Sequence, residues 1–170
     1  MTLLKRAGLP VALAALICVI ALSVAGDGFA GTHKSLKRSG WITHETDIPF
    51  KSLYPRLKKA IAKTELRQIT TASASAGAKG RGLEIPGNRV VGVYNNTFAV
   101  RMLEASIAAG IEAPLRFYLT ERSGGGSNLT YKIPSQVFSP YFEEGGKPLK
   151  TMASELDDLF DQIARETIKE

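Results

Sequence analysis

The chain has 170 residues, 44% of them hydrophobic and 22% charged, and a formal net charge of +6 from 22 Lys and Arg against 16 Asp and Glu. That excess is ordinary solubilising charge, too small for a protein organised around nucleic-acid binding. The one cysteine, Cys18, lies in a segment expected to be removed, which excludes disulfides, thiolate metal sites and cysteine nucleophiles from the remaining chain.

Residues 1–30 have the layout of a secretory signal peptide. Lys5 and Arg6 precede an apolar run from Leu9 to Ala25, and two small-residue exits follow, Ser23-Val24-Ala25 and Gly28-Phe29-Ala30. The alternative is an uncleaved signal anchor using residues 9–25, a run that only reaches the lower limit of about 17 residues for a spanning helix. Lys5 and Arg6 hold the N-terminus on the cytoplasmic side in either case. The rest is therefore expected to be exported: periplasmic or extracytoplasmic, or else anchored in the inner membrane. Residues 31–40 read as a flexible basic tether whose Lys34, Lys37 and Arg38 could touch anionic headgroups.

Folding signals begin at Trp41, with strand character through His44 and a stop at Asp47 and Pro49. Leu53, Leu57 and Ile61 then recur every four residues on one helical face, with lysines and arginines largely off it. Ser52 as N-cap places Pro55 in the first turn, where its missing N–H costs nothing; Asp47 is a rival start that would force a kink. Leu66 to Thr71 reads as a strand. Ala72 to Gly82 reads as a turn or short helix, because its G-x-x-G-x-G order is not the dinucleotide fingerprint.

Arg89 to Tyr94 is a buried-looking strand, and Val100, Leu103, Ile107 and Ile111 form a helical stripe after it, with Asn96 as N-cap and Gly110 as the terminator. Leu115 to Glu121 returns as a strand, and the Gly-rich stretch Ser123 to Asn128 is a hairpin leading to a final strand, Leu129 to Ile133. Pro134 to Phe142 is a short helix or turn, and Gly145, Gly146 and Pro148 break the chain before the last helix. That helix carries Met152, Leu156, Leu159, Phe160 and Ile163 on its apolar side and Glu155, Asp157, Asp158, Asp161 and Glu166 on its polar side. An acidic helix thus closes a chain opened by a basic one, and the two could pair within one molecule or across a homodimer.

Catalytic signatures are sparse. The sequence has no G-x-S-x-G, no H-E-x-x-H and no EF-hand loop, and its two histidines, His33 and His44, fall in the tether and in a strand. No metal set and no cofactor are expected. The candidate ligand-binding residues are Asn95, Asn96, Arg101 and Arg116, because a strand leading into a helix N-terminus presents free N–H groups that suit an anion. The asparagines could equally serve only as caps, and the arginines as surface charge.

The order of the pieces from 89 to 131, with Ala113-Pro114-Leu115-Arg116-Phe117-Tyr118-Leu119 and Leu129-Thr130-Tyr131, resembles the bacterial and archaeal family called domain of unknown function 302. The resemblance covers about Trp41 to Thr167; Val93-Tyr94-Asn95-Asn96 departs at two positions from the Gly-Asn-Pro form of the family's turn. It implies a two-layer α/β (α+β) sandwich with helices on one face of a mostly antiparallel sheet, and self-association in some relatives, but brings no catalytic residues. The bottom-up count agrees: about five strands and three or four helices around one core in a single domain, residues 41–170. The leading expectation is a non-enzymatic module that binds a protein, a small ligand or its own copy. The alternative is a hydrolase-like enzyme with Asn95, Arg116 and His44 near one cleft at the junction of strand 89–94 and helix 97–109.

Overall fold

The computed structural model describes residue 36 and residues 38–169. The expected signal or anchor segment 1–30, and Lys34 and Lys37 of the tether, lie outside the described residues. The element order is β1 (Trp41–Thr46), α1 (Phe50–Ala62), β2 (Arg67–Ala72), α2 (Ala74–Lys79), β3 (Asn88–Tyr94), α3 (Asn96–Ala105), a 3-10 turn (Ala108–Glu112), β4 (Leu115–Glu121), β5 (Ser127–Lys132), α4 (Pro134–Phe138), a second 3-10 turn (Ser139–Tyr141) and α5 (Phe142–Ile168).

The five strands form one sheet in the order β1-β5-β4-β3-β2, antiparallel at every pairing. Side chains alternate across a strand, so each strand has a core row and an outer row. Val91, Phe117, Leu119 and Leu129 are fully buried in the core row. Helix α5 lies at the centre of the helical layer, against α1, α3 and α4. Its Phe160 stacks on Phe117 with ring centroids 4.5 Å apart, and Tyr131 leans on both rings at 5.5 Å. This is the α+β sandwich that the sequence implied, with one hydrophobic core.

Three local expectations need correction. Helix α1 starts at Phe50 after Pro49 with no side-chain cap, so Ser52 is not its N-cap and Pro55 sits in the second turn. Phe50 is drawn in because its ring packs over Gly87, where a Cβ would come within 2.5 Å of it. Pro55 is on the solvent side, so the carbonyl it leaves unpaired is not trapped in the core. Second, the cap of α3 is Asn95, whose Oδ1 accepts from the N–H groups of Thr97 and Phe98, while Asn96 is the first helical residue.

Third, α3 ends at Ala105, well before Gly110, because Ser106 is extended (φ −156°, ψ 114°) and its Oγ instead accepts from the Ala109 N–H. The helix buries Phe98, Ala99 and Met102. The expected stripe of Val100, Leu103, Ile107 and Ile111 faces outward, with Ile107 83% and Ile111 79% exposed. Both rows have helical spacing, and the packing of α3 against α5 selected the one with the aromatic ring.

The break expected before the last helix falls inside α5, as a kink at Gly146, whose φ of 53° only glycine adopts readily. Beyond it α5 buries Met152, Leu156, Phe160 and Ile163, and the basic and acidic helices meet within the molecule through the Lys63–Glu166 ion pair. No helix among the described residues is long and apolar enough to cross a membrane.

Candidate functional site

Asn95 is fully used by the backbone. Besides its two cap bonds, its Nδ2 donates to the Glu65 carbonyl at 2.8 Å, tying the start of α3 to the loop before β2. Asn96 is exposed beside it. Arg101 reaches α5 and clasps Glu155 with both nitrogens, at 2.6 and 2.8 Å. That hydrogen bond and charge hold the Glu155 carboxyl below its ordinary pKa and raise that of the guanidinium. Neither Asn95 nor Arg101 is therefore left with a free polar group aimed at a ligand.

His44 and Arg116 stand on opposite faces of the sheet. His44 pairs with Leu129 in the core row and stacks on Tyr131 at 6.2 Å, whereas Arg116 alternates with buried Phe117 and points outward. Two strands separate β1 from β3, a span of roughly 14 Å. The structure thus brings together no cleft of Asn95, Arg116 and His44. Among the described residues His44 Nε2 is buried without a hydrogen-bond partner, and burial lowers the imidazole pKa.

Beneath Asn95 a small apolar cavity of about 40 Å³ runs between Phe98, Met102, Met152 and Phe160. Its lining is apolar and offers few polar partners to hold a water. Among the described residues no three or more His, Cys, Asp or Glu side chains gather into a metal-ligating group.

A larger concavity is on the outer face of the sheet, which α1, α3 and α5 leave uncovered and which α4 borders at one end through Val137. Register lines up one row across it: Trp41 opposite Lys132, then Arg116 opposite Gly92, then Thr70. Phe117 pairs with Tyr131, so the antiparallel register places Arg116 opposite Lys132. The next row is Thr43, Thr130, Tyr118 and Val90. Of these residues Trp41, Lys132, Arg116, Thr130, Tyr118 and Val90, together with Leu115 and Tyr131, Glu112 of the first 3-10 turn and Val137 of α4, line a groove of about 490 Å³. Lys132 Nζ and the Arg38 guanidinium each lie 5.9 Å from the Trp41 ring centroid.

A family model described as Domain of unknown function DUF302 matches residues 42–166. The chain belongs to the DUF302 family. The crystal structure of an uncharacterized conserved DUF302 protein from Bacillus stearothermophilus is similar in fold, with a TM-score of 0.64 over 75% of this chain and 98% of that one, at 15% identity. No curated protein matches the chain.

Of the four candidates in this DUF302 chain, only Arg116 opens onto the groove; its partners there, Trp41, Tyr118, Lys132 and Val90, were missed. The signal was present in the alternation of Arg116, Tyr118 and Thr120 against Leu115, Phe117 and Leu119. Val90 lay hidden in a strand that reads as apolar on both faces.

Proposed function

We propose that this chain is an exported, non-enzymatic binding module that seats a small ligand in the groove on the outer face of its sheet. The observation that carries the reading is the groove itself, about 490 Å³, within the range of roughly 300–1,000 Å³ usual for small-molecule sites. It combines an apolar floor with a few polar groups, the composition such sites need for affinity and orientation. The signal-like residues 1–30 support export.

Native mass spectrometry of the protein recovered from its own compartment tests this reading. The expected result is a shortened chain carrying a small-molecule mass that is absent from an Arg116→Glu variant. A chain with no added mass, or one whose added mass survives in the variant, would overturn it. A dimer mass lost in that variant would assign the outer face to a second copy instead, the self-association that the family resemblance implied.

A further inference from the structure

We infer that the groove takes a small aromatic carboxylate, its acid held between Arg116 and Lys132 and its ring laid along Trp41 and Tyr118; this rests on the groove reading above. Arg116 and Lys132 are exposed, face each other on neighbouring strands and make no ion pair among the described residues. Like charges directly opposite on a sheet destabilise it. Arg122, just past the end of β4, is by contrast paired with Glu45 and Asp47, at 3.7 and 3.6 Å. An anion between Arg116 and Lys132 removes the repulsion, and a carboxylate matches the fork of the guanidinium.

The one acid lining the groove does not fill that role. The Glu112 carboxylate accepts the Tyr141 hydroxyl at 2.9 Å, on the side of the 3-10 turns. The remaining lining argues for a ring over a bare oxyanion, because Val90, Leu115 and Val137 offer a phosphate ion nothing, whereas they supply an apolar body with area to bury. Trp41 and Tyr118 add faces for stacking. Two facing cations suit one carboxylate better than a polyphosphate.

Trp41 is the only tryptophan in the chain, so its emission reports on the groove directly. The test titrates the protein with 4-phenylbutyrate, its uncharged analogue 4-phenylbutanamide, inorganic phosphate and an oligoglutamate peptide. A saturable change with 4-phenylbutyrate is expected, weaker by about ten-fold or more for the amide and for an Arg116→Gln/Lys132→Gln variant, since a charge-assisted pair is lost in each. Both residues are exposed, and an unchanged circular dichroism spectrum verifies that the variant is folded.

Equal affinity for acid and amide, with both lost when Tyr118 is replaced by Ala, would overturn the carboxylate while leaving the groove as the site. Saturation by phosphate or oligoglutamate but not by 4-phenylbutyrate would overturn the ligand class in the same way. Binding of 4-phenylbutyrate that is undiminished in both the Arg116→Gln/Lys132→Gln and Tyr118→Ala variants, or no response to any probe, would overturn the groove reading as well.

Discussion

Arg101 on α3 and Glu155 on α5 form a two-pronged pair, Nη1 to Oε2 at 2.6 Å and Nη2 to Oε1 at 2.8 Å, that clips the two helices together over the edge of the core. Both side chains are more than a third exposed, 38% and 43%, so solvent screening discounts the pair. Arg101→Ala is expected to cost about 0.5–1 kcal/mol at neutral pH. The Glu155 pKa is lowered in the folded state, so this contribution is present above the ordinary value of 4.5 and is lost as pH falls through the folded value. Urea unfolding midpoints for the variant and the parent should therefore converge in acid.

Replacing Asn95 removes three hydrogen bonds, two at the cap and one to the Glu65 carbonyl. Asn95→Ala is expected to cost about 1–2 kcal/mol. Asn96→Ala, one residue on and exposed, should stay within about 0.5 kcal/mol of the parent. Thermal unfolding of the two single variants checks the ordering; a larger loss at Asn96 would place the cap one residue later.

His44 supplies a pH dependence of the opposite origin. Burial keeps its folded pKa below 6.5, with Asp161 opposing the shift and Arg165 adding to it. The unfolded chain then binds more protons between the two pKa values, so stability falls as pH drops below about 6.5 and levels off below the folded value. His44→Leu removes the titrating group and should flatten this part of the profile, as measured by unfolding midpoints between about pH 7.5 and pH 5.

The buried row of α3 and the exposed isoleucines that follow the helix can be separated by substitution. Met102, 4% exposed, is part of the core, and Met102→Ala is expected to cost about 2–4 kcal/mol. Ile107→Lys and Ile111→Lys alter only exposed positions and should each change stability by no more than about 0.5 kcal/mol. Denaturant unfolding of the three variants distinguishes the two.

Much of the fold was legible because local chemistry and tertiary packing agree. The strand Leu115–Glu121 has a strict apolar alternation, Pro134 stops β5, and Gly146 stands where the backbone needs a positive φ, so those boundaries need nothing from distant residues. Composition and motif absence also narrowed the chemistry before any contact was known, and Arg116 was singled out without its surroundings.

What the sequence by itself determined was therefore periodicity: which segments are helix or strand, how many there are, and that one face of each is apolar. Tertiary structure alone decided between periodicities that the chain offers equally. Phe98 and Met102 turn inward in place of Val100 and Leu103 because α3 must fit against α5, and Phe50 extends α1 because its ring has Gly87 to cover. The groove belongs to the same category. Trp41, Val90, Arg116 and Lys132 lie on four different strands, and only the register of β1, β5, β4 and β3 sets them side by side. Pairing register is a property of distant segments meeting, and no local pattern encodes it.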